Sequence, residues 1–304
     1  MQDHFWLKAK DGVEIYVHKW YEPKVKPHAI VQISHGMVEH IKRYDDFSNH
    51  LLNKGIFVYG NDHRGHGETG ERQGLFGFLA DEDGFDKTAE DMYQLTLHIK
   101  KEYPGVPVIL LGHSMGSFLA RRYIQYHSHE IDALILSGTG FYPKLTTLFG
   151  KKLADTLQPK IESKVMNSIV FGNFNKRIPN KKTKFDWLSR DESVVQAYVH
   201  DPYAGYIPTG KFFVDLMTGL MLIHDQRQNK NIRNDLPTLI ISGDEDPVGN
   251  YGKGIWKTAN LLTNAGLTNI TTSLFNEARH ETLNEINKHE VYHFIYEWIR
   301  KHLP

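Results

Sequence analysis

Val106–Leu111 reads VPVILL, Gly112–Gly116 reads GHSMG, and Ser117–Tyr126 reads SFLARRYIQY. The first run is nearly unbroken in apolar residues, which predicts a strand buried on both faces. The last has helical spacing and predicts a helix over Met115–His127. Between them lies a G-x-S-x-G pentapeptide. Alone it is a weak sign, since chance supplies about one per several chains of this length. A buried strand in front and a helix behind give it meaning. So tight a turn forces Ser114 into a strained conformation and lifts its side chain above the sheet. Glycines two residues to either side leave room for the crowded backbone. The new helix points its positive end and free N–H groups at the same spot, where a developing negative charge can be held. An ordinary N-cap serine with nearby glycines is the plainer reading, but it leaves the flanking elements unexplained.

Outward from this turn, the chain alternates. Phe5–Ala9 and Val13–Trp20 flank Asp11-Gly12, a hairpin signal. Ala29–Ser34 (AIVQIS) predicts a buried strand, and Asp45–Lys54 a helix stopped at Gly55. Ile56–Gly60 predicts a strand, Asp86–Tyr103 a long amphipathic helix, and Ile131–Ser137 another strand. This rhythm implies a mostly parallel, doubly wound α/β sheet. It breaks from about Phe141 to Asp235, where the patterns are helical or irregular. It resumes with the strand Thr238–Ser242, a helix near Tyr251–Ala265, the strand Ile270–Phe275 and a final helix over Asn284–His302. The expected organisation is therefore a core of residues 1–140 with 236–304, carrying residues 141–235 as an insertion.

The bulk composition narrows the function classes. With 304 residues, 40% of them apolar, the chain can bury a large core. Its formal net charge is zero, which offers no global argument for a nucleic-acid partner. It has no cysteine, which excludes disulfides, thiolate metal sites and a cysteine nucleophile. MQDHFWLKAK at the start lacks a basic segment followed by an apolar run, and no stretch approaches the roughly 18 apolar residues of a spanning helix. A cytoplasmic enzyme is the expectation.

A serine hydroxyl is a weak nucleophile at neutral pH and needs a base beside it, most often histidine. Sheets with this kind of elbow order the partners as Ser, then Asp or Glu, then His, each just past a strand end. After Thr238–Ser242 comes Gly243-Asp-Glu-Asp-Pro247, where Asp244, Glu245 and Asp246 compete for the acid role. After Ile270–Phe275 comes Asn276-Glu-Ala-Arg-His-Glu281, whose only histidine is His280. His289, His293 and His302 fall in the final helix, away from any strand end. Acyl transfer also needs two backbone N–H donors for the oxyanion. One is Met115, directly after the nucleophile. The other belongs to the loop Ser34-His-Gly-Met-Val-Glu-His40, where the His-Gly pair lets the Met37 N–H turn inward.

Taken together these segments resemble a known group. His35-Gly-Met-Val-Glu-His40, Asp62-His-Arg-Gly-His-Gly67, Gly112-His-Ser-Met-Gly116 and Gly243-Asp-Glu-Asp-Pro247 with Arg279-His280 are similar to the motifs of the monoglyceride lipase and lysophospholipase group of α/β-hydrolases, also catalogued as serine aminopeptidase-like hydrolases. The resemblance spans the catalytic domain and is weakest in the insertion. It implies the α/β-hydrolase fold, a mostly parallel, doubly wound sheet of about eight strands with an inserted helical cap. It implies Asp246 as the acid, Met37 and Met115 as oxyanion donors, and a cap over the nucleophile formed by the insertion. It implies no cofactor and no metal. Where the group often has glycine before the glutamate of the first motif, this chain has Val38. Asp62, Arg64 and His66 read as structural support. A metal site on His63 and His66 is the sharper alternative, but no third ligand stands at suitable spacing.

The substrate implied is an acyl ester, of glycerol or a lysophospholipid, with short-chain esters, peptides and cofactor-free haloperoxidase chemistry as successively weaker choices. Haloalkane dehalogenases and epoxide hydrolases use Asp where this chain has Ser114. A non-enzymatic receptor retaining the pocket is the rival from another class, and an interaction scaffold a more remote one. In the insertion, Phe141, Leu145, Leu148, Phe149 and Leu153 have helical spacing, and Phe212–Ile223 is apolar nearly all round. Most of these residues should pack the cap down, and a minority could line an acyl-chain tunnel. The insertion also carries 15 Lys plus Arg against 9 Asp plus Glu. A solvated loop is the simpler account of Lys176-Arg177 and Lys181-Lys182-Thr183-Lys184; weak contact with anionic lipid or a phosphate-bearing substrate is the sharper one. The sequence leaves the oligomeric state open.

Overall fold

In strand β5 (Val108–His113), Val108 and Leu110 face one side of the sheet while Ile109 and Leu111 face the other, and all four are fully buried. A strand can alternate and still be apolar throughout only if helices cover both sides. The computed structural model, which describes residues 1–303, has that arrangement. One sheet of eight strands runs in the order β1-β2-β4-β3-β5-β6-β7-β8. Besides β5 these are β1 (Gln2–Lys8), β2 (Glu14–Trp20), β3 (Ala29–Ser34), β4 (Ile56–Asn61), β6 (Ala133–Ser137), β7 (Thr238–Gly243) and β8 (Ile270–Phe275). β1 and β2 form the antiparallel hairpin expected around Asp11-Gly12, and β2 joins β4 antiparallel. From β4 to β8 every pairing is parallel. This is the α/β-hydrolase fold.

The helices are α1 (Asp45–Leu52), α2 (Gly67–Gln73), α3 (Gly84–Glu102), α4 (Met115–His127), α5 (Lys144–Ala154), α6 (Lys164–Phe171), α7 (Glu192–His200), α8 (Gly210–Ile223), α9 (Gln226–Asn229), α10 (Lys253–Ala265) and α11 (Lys288–His302). On one face Met92 and Leu95 of α3, Phe118 and Leu119 of α4, and Phe212 and Phe213 of α8 pack against Leu110, Leu136 and Ile240. On the other, Phe47 and Leu51 of α1 and Tyr292, Ile295 and Trp298 of α11 pack against Ile33, Leu111 and Ile241. Each buried leucine or isoleucine contributes roughly 1.5–3 kcal/mol. These two layers hold the carboxyl ends of the strands, where the loops of interest lie, in fixed relation.

Between β6 and β7 the chain contributes α5 to α9, a single isolated bridge (Glu162 with Thr209), and no strand to the sheet among the described residues. α8 is the apolar run Phe212–Ile223. Thr209 caps it by accepting from the Phe212 N–H, and Phe85 of α3 presses against Gly219. Among the differences from expectation are two boundaries and one helix. β5 starts at Val108 because Pro107 has no N–H to donate to a ladder. α11 begins at Lys288, after a 3-10 turn over Thr282–Asn284, because the Glu285 carboxylate is drawn into bonds with the N–H groups of Arg190 (3.0 Å) and Arg279 (2.9 Å). α2 is an element that the sequence reading does not include. The Asp62 carboxylate accepts from the Glu68 N–H and the Thr69 hydroxyl donates to the Asp62 carbonyl, both at 2.8 Å, and neither bond leaves a periodic trace.

Candidate active site

At the end of β5 the chain reverses into α4 through Ser114, with φ 52° and ψ −121°. A serine rarely occupies this region, and holding it there costs about 1–3 kcal/mol. The surroundings enforce it. The Ser114 N–H donates to the Ser137 carbonyl of β6 at 2.9 Å, and the Ser117 hydroxyl donates to the Ser114 carbonyl at 2.6 Å. A Cβ on Gly112 would collide with the Gly116 carbonyl, and one on Gly116 with the Ser34 carbonyl. Both glycines of the motif are therefore demanded by close backbone approach. The Ser114 side chain is half-buried, its hydroxyl has no hydrogen-bond partner among the described residues, and it lines a cavity of about 760 Å³.

The loops after β7 and β8 bring Asp246 and His280 together. His280 Nδ1 lies 3.0 Å from Asp246 Oδ1, with both side chains buried. Asp246 also accepts from the Ser242 hydroxyl and the Val248 N–H, each at 2.8 Å. Glu245 is exposed and Asp244 half-buried, and neither bonds His280. Burial acts to lower the His280 pKa, but the Asp246 carboxylate, together with Glu281 and Glu39, outweighs it and the net shift is upward from the ordinary value. Burial acts to raise Asp246, and His280 with the two further donors holds it below the usual carboxylate range. A neutral imidazole that donates through Nδ1 keeps its lone pair on Nε2. His280 lines the same cavity as Ser114.

Met37 and Met115, the two residues singled out as oxyanion donors, have backbone N–H groups without a hydrogen-bond partner among the described residues. Met115 opens α4, where the first N–H groups have no intrahelical acceptor. The loop carrying Met37 turns at Val38, which has φ 52°. That conformation favours glycine, and a β-branched residue there is strained. The strain is opposed from the segment between β6 and β7: the Val38 carbonyl accepts from the Tyr198 hydroxyl at 3.0 Å and the Gly205 N–H at 2.9 Å.

One network escaped the sequence reading. Glu39 accepts from the Gly36 N–H and from the Tyr44 hydroxyl, and it pairs with Arg43. Arg43 in turn binds both oxygens of Glu281 at 2.7 Å. All three charged side chains are at most 9% exposed. The bridge ties the loop of Met37 to the loop of His280. Its only sequence signal is the i,i+4 spacing of Glu39 and Arg43, which ordinarily means a surface pair. The segment between β6 and β7 holds the His280 loop as well. The His280 N–H donates to the Trp187 carbonyl at 3.3 Å, the Glu281 N–H to the Leu188 carbonyl at 2.7 Å, and Arg279 to the carbonyls of Asp186 and Ser189.

A family model, described as Serine aminopeptidase, S33, matches residues 25–287. The chain belongs to this α/β-hydrolase family. Its curated relatives include a monoacylglycerol lipase of Mycolicibacterium smegmatis, 28% identical over 96% of this chain and 95% of that protein, and a monoglyceride lipase of Rattus norvegicus, 27% identical over 98% of this chain and 90% of that protein. Among solved structures, a thermostable carboxyl esterase from Bacillus coagulans in complex with glycerol superimposes with a TM-score of 0.92, at 27% identity, covering 100% of this chain and 99% of that one. The relatives of this family member are thus lipases and esterases.

In the loops after β3 and β4 the family member buries a histidine cluster. The His35 and His63 rings are 4.2 Å apart, and His35 and His66 5.3 Å. His35 donates from Nδ1 to the Gly36 carbonyl at 2.7 Å, and its Nε2 accepts the His63 N–H of the loop after β4 at 3.0 Å. His63 Nε2 lies 3.0 Å from the Ser34 hydroxyl. The ring nitrogens of His35 and His63 are thus spent on internal bonds, and no group of three or more metal-ligating side chains forms among the described residues. Asp62 and Arg64 hold the surrounding loop. Asp62 accepts from the N–H groups of Ile41 and Glu68, and Arg64 bridges Asp11 and Asp91.

Proposed function

We propose that this protein is a serine carboxylic-ester hydrolase that works through an acyl-enzyme on monoacylglycerols, lysophospholipids or similar acyl esters. One observation carries the reading: a strained Ser114 opens onto the same cavity as His280, whose Nδ1 is committed to the buried Asp246 at 3.0 Å. His280 Nε2 takes the hydroxyl proton as Ser114 attacks the ester carbonyl. The N–H groups of Met37 and Met115 hold the oxyanion. The imidazolium, steadied by Asp246, gives its proton to the departing alcohol. Water activated by the same imidazole then attacks the acyl-enzyme and releases the acid. Apolar residues of the cavity wall, among them Phe171, Phe185, Trp187 and Leu188, suit an acyl chain. Relatives bearing lipase and esterase names favour esters over peptides. The residues from 141 to 235 act in this reading as a cap over Ser114.

The test is labelling with a fluorophosphonate probe followed by steady-state assay on p-nitrophenyl esters from acetate to palmitate. An active hydrolase is labelled at Ser114, and Ser114→Ala loses on the order of 10⁶ in kcat. Failure of the probe to label the native protein overturns the enzymatic reading and favours the receptor.

A further inference from the structure

The cavity that holds Ser114 and His280 has an unbalanced rim. Lys164, Lys181, Lys182 and Lys184 all contribute to its wall. Only Lys182 has a carboxylate within reach, Glu192 at 2.6 Å; Lys164, Lys181 and Lys184 have no such partner among the described residues. The carboxylates on the same wall, Glu39 and Glu281, are both committed to Arg43 deeper in. Lys164 belongs to the cavity by its place on α6. It shares one face of the helix with Asn167, Ser168 and Phe171, which also line the cavity, while Val165 and Ile169 are exposed. The lysines from 181 to 184 sit on a braced loop. The Asp186 carboxylate accepts the N–H groups of Lys182 and Thr183, and Asn175 donates to the Thr183 carbonyl at 2.7 Å while accepting the Trp187 N–H at 2.8 Å.

Lys164, Lys181 and Lys184 are exposed at the rim, and unpaired ammonium groups there raise the local concentration of anions and reward a ligand that carries one. The same wall carries Phe171, Phe185, Trp187 and Leu188, which suit the acyl chain. We infer that the preferred substrate of this site is an acyl ester whose alcohol portion bears an anion, a phosphate above all, held by Lys164, Lys181 and Lys184. This rests on the ester-hydrolase reading above and narrows it: the acyl carbonyl lies at Ser114 and the charged end of the leaving alcohol at the lysine rim. A neutral monoacylglycerol fits the apolar part and leaves the rim unused.

Binding decides this apart from catalysis. In Ser114→Ala, dodecyl phosphate and the neutral 1-O-dodecylglycerol are titrated below their critical micelle concentrations at low salt. Dodecyl phosphate is expected to bind tighter by on the order of tenfold, an advantage that shrinks as salt screens the rim. The triple change Lys164→Ala, Lys181→Ala, Lys184→Ala should abolish that advantage, and the matching arginine triple should retain it. Equal binding of the two amphiphiles in the native rim, or an advantage that survives the alanine triple, overturns the inference. So does binding to phosphatidylglycerol vesicles without discrimination between the monomers, which would assign the lysines to a lipid surface. Absence of fluorophosphonate labelling in the native protein sinks the hydrolase reading but leaves this binding result to stand or fall by itself.

Discussion

His280 and the His35, His63, His66 cluster are equally buried, yet their pKa values move in opposite directions. Burial drives His35 and His63 well below the ordinary value and His66 to about 4. Burial pulls on His280 as well, but Asp246 reverses the sign. The cluster faces chiefly other histidines and backbone carbonyls, with Glu39 acting on His66; His280 faces the Asp246 carboxylate, with Glu281 and Glu39 adding to it. Position beside a strand end does not separate the two sites, since His35 and His63 also follow strands. What separates them is the charge of the neighbours, Asp246 foremost, in a medium where water cannot screen it. A histidine kept neutral by burial fills space. One whose imidazolium is steadied can carry a proton through a reaction.

The widest expected gap between the two sites is in activity. His280→Ala should lower kcat on p-nitrophenyl esters by on the order of 10⁶, whereas His66→Phe should stay within tenfold of the native rate. Comparable losses at both positions would erase the distinction. Next comes Asp246→Asn, which deletes the neighbour that sets His280 apart. A loss of about 10⁴ in kcat is expected. The acid limb of kcat/KM should move to lower pH, towards the behaviour of the cluster. In the native enzyme that limb lies above pH 6.5, because His280 must be neutral to act and its pKa is raised. A limb that stays put in Asp246→Asn would mean that another group sets it.

Arg43→Ala removes the cation between Glu39 and Glu281 and leaves two buried carboxylates without it. A stability loss of about 3–5 kcal/mol is expected from denaturant unfolding. Glu39→Gln with Glu281→Gln added to Arg43→Ala should recover much of it. No recovery would mean that the packing of Arg43 on Tyr198, 4.7 Å from its ring, matters more than the charges. The smallest effect is on acid stability. His66 titrates near pH 4 when folded and near 6.5 when unfolded, so between these values the unfolded chain binds the extra proton. Stability therefore falls as pH drops through that window, by up to about 1.4 kcal/mol per pH unit for this residue. His66→Phe should flatten the slope there. His280 acts with the opposite sign: its raised pKa contributes stability below pH 6.5 that is lost as pH rises through the folded value. Unfolding curves collected from pH 4 to 8 distinguish the two. A slope unchanged in His66→Phe would remove that residue from the account.

The sequence by itself determined what depends on neighbours along the chain. VPVILL-GHSMG-SFLARRYIQY made the elbow and the helix Met115–His127 legible, because strand, tight turn and helix are all local preferences with distinct periods. The succession of strands along the chain and the strandless stretch from 141 to 235 were legible for the same reason. The meeting of His280 with Asp246 rather than Asp244 or Glu245 came from family resemblance, not from periodicity; only the loop geometry after β7 buries one carboxylate against the imidazole and turns the others away. The Glu39–Arg43–Glu281 bridge, the helix α2 and the grip of Trp187, Leu188 and Tyr198 on the two active-site loops were decided by tertiary structure alone. Each joins residues tens to hundreds of positions apart or depends on a side-chain bond to backbone. The worth of such contacts is set by burial and by which charge lies opposite, quantities that exist only once the chain has closed on itself.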